Sequence, residues 1–278
     1  MPSDCFFEPW LQYRHPAVRQ LAFAIASPNI LKHSPDELDI IHPFDWHHDH
    51  FWQHYYQRYA SRLEQLDQEP TALLDFLAQL KSTRLGLRFE MLIWFWLTES
   101  QYHDFELLGH SIQMIDGPRT LGELDFLLRN RLTNQIEHWE VALKYYLAER
   151  DNQLAYWYGL NRSDTLQRKL RHFTEKQFQF NSALNFPIQR RVVVLKGQLY
   201  ISDSKQLLPS WVNPKRQLGL WGAKIPPLSQ QFYRLQRQEW ICPNLAASSL
   251  PATWWTDGLY HNAYDEYFMY RQAALIQP

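Results

Sequence analysis

Glycine is sparse in this chain, with 9 residues in 278, under half the usual ~7%. Neither GxGxxG nor GxxxxGK[ST] occurs. Loops that cradle a pyrophosphate need clustered glycines to bring backbone N–H groups close. A dinucleotide or P-loop site is therefore excluded, and no nucleotide cofactor is expected. Cysteine is nearly absent: Cys5 and Cys242 cannot build a disulfide framework or a four-cysteine zinc site. Cys242 has no histidine near it in sequence to activate it as a nucleophile, and no GxSxG elbow offers a serine. The longest wholly apolar run, residues 91–97, is seven residues, where a membrane span takes about 20. Met1-Pro2-Ser3-Asp4 has no basic region leading into an apolar one, so no signal peptide is expected. These absences point to a soluble cytoplasmic protein with no membrane partner.

Aromatics are plentiful, with 12 Trp, 15 Tyr and 16 Phe, which argues for a large core and against disorder. The net charge of −1 conceals an asymmetry. Residues 1–160 carry 13 basic and 22 acidic side chains, whereas residues 161–240 carry 14 and 4. A block of charge +10 holding ten aromatic rings suits a polyanion, because cations track phosphates and rings stack on bases. Docking of that block on the acidic part of its own chain is the competing explanation.

Hydrophobic spacing predicts helices over residues 17–25, 44–67 and from Pro70 through Leu80. A further helix over residues 83–97 is apolar nearly all round and so should be buried. The period then changes to two. Strands are predicted over residues 105–115, 121–128 and 139–147, the first stopped by Asp116-Gly117-Pro118. Ser163 or Asp164 would cap a basic helix reaching Phe178. Beyond it the chain reads as β-rich. A hairpin is expected around Lys196-Gly197, with strands 191–195 and 198–201. A strand follows over 232–242 and a last helix over 263–275. No repeat or low-complexity linker divides the chain. Three regions are expected: N-terminal helices (1–82), a core (83–180) and a β-rich C-terminal subdomain (181–278).

Three carboxylates stand out. Glu90 lies in Phe89-Glu90-Met91-Leu92-Ile93-Trp94, flanked at helical spacing by apolar residues. A charge on that face needs a buried arginine or a cation. In Gly122-Glu123-Leu124-Asp125-Phe126, alternation puts Glu123 and Asp125 on one face. In His138-Trp139-Glu140-Val141-Ala142-Leu143-Lys144, it puts His138, Glu140 and Lys144 on one face. Asp125 and Glu140 on neighbouring strands would converge on Mg²⁺ or Mn²⁺, hard ions that take oxygen ligands. A nearby lysine would orient or activate water. A second metal reading comes from the histidine-rich stretch 42–54, where His50 and His54, with His47, have zinc-ligand spacing.

The order helix with Glu90, strand, strand with Asp125, strand with Glu140 and Lys144, then helix resembles the core of the PD-(D/E)XK nuclease superfamily. More narrowly, Arg88-Phe89-Glu90, Gly122-Glu123-Leu124-Asp125-Phe126 and Trp139-Glu140-Val141-Ala142-Leu143-Lys144 resemble a bacterial domain-of-unknown-function family, number 1853, grouped with those nucleases. Asp164-Thr165-Leu166-Gln167-Arg168-Lys169-Leu170 is similar to its basic helix. The resemblance implies an α/β (α+β) fold with a central mixed sheet flanked by helices, and metal-dependent hydrolysis of DNA or RNA. Asp125 and Glu140 would be metal ligands, Glu90 an auxiliary acid and Lys144 the catalytic lysine. Arg168, Lys169 and Arg171 would hold phosphates. The sequence departs from the superfamily pattern in two places. Leu124 replaces the proline before the acid. Ala142 occupies the lysine's usual place, two residues after Glu140, and Lys144 lies ~6.6 Å further along the strand. Lys169 is then a substitute, and the alternative is a degenerate site that binds nucleic acid, or serves as a scaffold, without cutting.

Overall fold

The structure is a computed structural model that describes residues 6–202, 207–227, 231–243, 250–255, 257–262 and 266–271. The first half holds α1 (Pro16–Ala26), β1 (Asp45–Trp46), α2 (Asp49–Gln68), α3 (Thr71–Ala78) and α4 (Leu85–Thr98). There follow β2 (Phe105–Asp116), β3 (Arg119–Asn130), β4 (Ile136–Ala148), β5 (Trp157–Tyr158) and α5 (Leu166–Glu175). The rest comprises β6 (Ser182–Ala183), β7 (Phe186–Pro187), β8 (Arg190–Ile201) and β9 (Gly219–Gly222). Last come β10 (Phe232–Arg234), β11 (Leu250–Pro251), β12 (Gly258–Asn262) and β13 (Tyr267–Tyr270).

One mixed sheet runs β11-β10-β12-β13-β9-β8-β4-β3-β2, with β1 added to β8 and β5 to β4. The strands β2, β3 and β4 form an antiparallel meander. The chain then crosses over through α5 and returns as β8, parallel to β4. Alternation along β4 and β8 feeds two cores. Trp139, Val141, Leu143, Val192 and Val194 meet α1, α2 and α4 on one face. Ala142, Tyr146, Val193 and Leu195 meet Leu166, Leu170 and Phe173 of α5 on the other. The fold is thus mixed α/β with a large central mixed sheet and five helices among the described residues.

Several local expectations are corrected. Lys196-Gly197 is not a hairpin turn. β8 runs straight through it, with Gly197 opposite Lys144. Gly197 has φ +123, and a Cβ there would lie 1.9 Å from the Lys144 carbonyl oxygen. The glycine serves the close approach of two backbones, not a reversal. The helix expected over 44–67 begins at Asp49, because residues 45–46 are taken by β1 as a strand beside β8. Thr165, not Ser163 or Asp164, caps α5, its hydroxyl accepting from Arg168 N at 3.1 Å. That helix stops at Glu175, short of Phe178. The strand expected over 232–242 is only Phe232–Arg234, followed by a 3₁₀ turn at Arg237–Trp240. Within the last expected helix, Tyr267–Tyr270 is a strand with alternating burial. Residues 263–265 and 272–275 of that helix lie outside the described residues.

Candidate active site

The site forms where two strands part. β3 pairs with β4 only over residues 126–129 against 136–139. Beyond Phe126 and Trp139, β3 stays with β2 while β4 stays with β8. Asp125 sits at the vertex of this split. Its Oδ2 accepts the Val141 backbone N–H at 2.8 Å, taking the place of the ladder bond that the divergence removes. On the β2 side the register is unbroken from His110–Phe126 to Ile112–Leu124. Between them Ser111 holds φ +50, a left-handed conformation uncommon outside glycine.

Glu140 faces Asp125 across the vertex and is fully buried. Its Oε1 is 2.6 Å from His138 Nε2, and its Oε2 accepts from the Gln177 amide. Burial pushes Glu140 up to about 8, against the pull of Lys169 and the hydrogen bonds it accepts. Burial also holds Asp125 well above the usual carboxylate range, and the charges of Glu140 and Glu90 add to that. His138 is pushed down to about 3 by burial, so it stands neutral beside Glu140. Two carboxyls that both resist ionisation, in direct interaction, form a site that favours a shared proton or a cation.

The lysine that meets this pair comes from the helix. Lys169 of α5 feels both Glu140 and Asp125, which oppose the downward push of its own burial. Its Nζ donates to Gln177 Oε1 at 3.2 Å and lies 4.0 Å from the centroid of the Phe173 ring. Gln177 thereby bridges Lys169 and Glu140. Lys144 instead pairs with Asp164 at 2.6 Å, further along β4. Glu90, on α4, is partly buried, and its partner is histidine instead of the arginine considered above. His110 Nε2 is 2.7 Å away, and the Ser111 hydroxyl donates at 3.4 Å. His110 in turn stacks on Trp94 with ring centroids 4.0 Å apart.

Glu123 lies apart from the site, exposed and accepting from Gln113 at 2.5 Å. Arg168 and Arg171 are exposed on the outer side of α5, where with Asp164 and Lys176 they line a concavity of about 770 Å³. Of the histidine-rich stretch, His47 is buried and stacked on Phe51 at 3.6 Å, while His50 and His54 are exposed. Among the described residues, no three or more His, Cys, Asp and Glu side chains gather as a metal site. Cys242 is buried, and its thiol is pushed up by that burial, away from nucleophilic use. His110, Ser111, His138 and Gln177 are the site members that sequence reasoning did not single out. His138 carried a usable signal, since it shares the Glu140 face by alternation. Gln177 carried none, lying past the end of α5.

Fold and site together define a class: a mixed α/β protein with paired carboxyls at a split in its central sheet and a helix-borne lysine above them. A family model described as "Domain of unknown function (DUF1853)" matches residues 19–277, and the chain belongs to that family. No curated protein and no solved structure matches the chain.

Proposed function

We propose that this protein is a metal-dependent nuclease of PD-(D/E)XK type that hydrolyses phosphodiester bonds of DNA or RNA. The observation that carries the reading is the meeting of Asp125, Glu140 and Lys169 at the divergence of β3 and β4. The order α4-β2-β3-β4-α5-β8, with β8 parallel to β4, supports it as a nuclease-like αβββαβ core. The donor set fits Mg²⁺ or Mn²⁺, since two adjacent carboxyls that repel each other leave oxygens for a hard ion. Asp125 and Glu140 would hold it. When bound, such an ion polarises a phosphoryl oxygen and makes water more acidic.

The chain's own residues supply the rest. Asp125 is fixed by the Val141 N–H, so its second oxygen is directed by the backbone. His138 and Gln177 hold Glu140 in one orientation. Lys169, rather than Lys144, takes the lysine's role. Its ammonium steadies the charge that develops on the scissile phosphate and keeps a proton beside the attacking water. Arg168 and Arg171 bind flanking phosphates. Glu90 and His110 set the charge behind Asp125.

One observation favours a second reading. Glu140 is closed in by His138 and Gln177 and has Ala142 two positions on, as expected of a degenerate site that binds nucleic acid without cutting. Labelled DNA and RNA, titrated with Mg²⁺ and Mn²⁺, decide between the two. Asp125→Ala and Glu140→Ala should each lower cleavage by a factor on the order of 100 or more, Lys169→Ala similarly, and Lys144→Ala less than about tenfold. Absence of cleavage by the wild-type protein with every metal sinks the nuclease reading.

A further inference from the structure

The split between β3 and β4 leaves more than a vertex. β4 meets β3 only up to Trp139 and β5 only at residues 147–148, so its edge between these points carries no strand partner among the described residues. A cleft of about 1280 Å³ opens over that edge. Its wall includes Arg84, Lys144, Tyr145, Arg234, Arg237 and Trp240. The acids in the wall are matched by cations: Asp164 by Lys144 at 2.6 Å, and Asp257 by Arg271 at 3.8 Å. Arg84 and Arg237 are exposed and form no ion pair among the described residues. Tyr145 and Trp240 are part-exposed, with ring centroids 5.8 Å apart and nearly perpendicular. Asp164 also lines the concavity over α5, so the cleft runs from the C-terminal region, past Lys144, to the helix that carries Lys169.

We propose that this cleft binds single-stranded polynucleotide and delivers it, unpaired, to the carboxylate vertex. The proposal deepens the nuclease reading and rests on it for where the strand leads. The chemistry selects an unpaired strand. Arginines track phosphates whether or not the bases are paired. Rings recessed between cations are reached only by bases that are not stacked inside a duplex. A duplex would meet Arg84 and Arg237 and leave Tyr145 and Trp240 untouched.

The test is fluorescence anisotropy of the full chain in EDTA, which separates binding from cleavage. The probes are a labelled 15-mer of DNA, the same 15-mer of RNA, and each annealed to its complement. Unpaired strands should bind about tenfold or more tighter than duplex, and the DNA and RNA arms identify the natural polymer. Arg84→Glu with Arg237→Glu should weaken single-strand binding by about tenfold or more. It should also reduce the slope of log K against log salt by about 1.4, at ~0.7 for each phosphate no longer neutralised. Arg84→Lys with Arg237→Lys should keep most of that slope. Should the Glu variant misfold by circular dichroism, the wild-type protein and the Lys variant decide. A flat salt slope in wild type, or equal affinity for duplex, overturns the proposal, as does competition by poly-glutamate equal to that by oligonucleotide. Cleavage in a separate Mg²⁺ assay without single-strand preference sinks the cleft and leaves the nuclease. Single-strand preference without cleavage does the reverse.

Discussion

At the scale of the residue, a histidine with no part in the proposed chemistry gives a clean reading of burial. His103 is 2% exposed. The Phe105 N–H donates to its Nδ1 at 3.2 Å, so the ring proton sits on Nε2, which donates to the Trp96 carbonyl at 3.1 Å. Protonating Nδ1 would set one donor against another in a dry site, and burial pushes the group down to about 4. An unfolded histidine titrates near ~6.5. Between these values the unfolded chain binds the extra proton. This contribution therefore lowers stability as pH falls from about 6.5 to about 4, has no effect above that window, and amounts to about 3 kcal/mol at full extent. His103→Gln can keep both hydrogen bonds and cannot titrate. Urea midpoints from pH 8 to pH 4 should fall less steeply for the variant than for wild type, and parallel profiles would refute the assignment. At this scale the sequence was informative wherever a two-residue period applied. Asp125 and Glu140 were legible because alternation on a strand fixes a face. Lys169 was legible only as a substitute for the displaced lysine, because its approach depends on how far α5 slides along the sheet, which no local spacing encodes.

At the scale of the element, β8 shows why a strong local signal can mislead. Lys-Gly between two apolar runs reads as a turn, but glycine answers two different needs, a reversal and a close approach. Here φ +123 and a Cβ position 1.9 Å from the Lys144 carbonyl make it the second. Gly197→Ala must move β8 off β4 at the point where both cores are filled by their side chains. The expected cost is above about 3 kcal/mol, read as a lowered urea midpoint with the fold retained at low denaturant. An unchanged midpoint would mean that the strands part freely there. The cap of α5 offers a milder contrast. Thr165→Ala removes a hydroxyl that accepts from Arg168 N and should cost about 1 kcal/mol. The same change should lower cleavage in the nuclease assay if the first turn of α5 positions Lys169, and a variant with full activity would uncouple the two. The largely apolar helix α4 was legible from composition, since a helix apolar nearly all round belongs inside. Its residues from Phe89 to Leu97 are mostly buried, while Gly86 and Leu87 in its first turn are exposed. α5 was legible from its polar–apolar period, while its exact start was not, because Ser163, Asp164 and Thr165 all suit an N-cap.

At the scale of the whole molecule, the charge asymmetry divides between two uses. Part of the basic block is paired with acids of its own chain: Arg216 with Glu8 at 2.7 Å in the interior, and Arg190 with Asp45 at 2.9 Å and Arg162 with Glu149 at 2.6 Å nearer the surface. Five of its ten rings, Phe173, Phe178, Tyr200, Trp211 and Phe232, are buried. Lys196 is fully buried, whereas Arg168 and Arg171 stay exposed. What the sequence could not show is that the C-terminal strands extend the same sheet, because the parallel pairing of β4 with β8 joins residues about fifty positions apart and leaves no local trace. That pairing has a consequence for folding. β8 stands inside the sheet, between β4 and β9, with Val192 and Val194 filling one core and Val193 and Leu195 the other. A chain ended after Phe180 would keep Asp125, Glu140 and Lys169. It would lose the strand that covers the long side of β4, leaving an unpaired apolar edge and two half-empty cores. Such a fragment should show no cooperative urea transition and should aggregate, whereas the full chain should unfold in one transition seen alike by tryptophan fluorescence and circular dichroism. A soluble, cooperatively unfolding fragment 1–180 would show instead that the meander and α5 carry a complete core of their own.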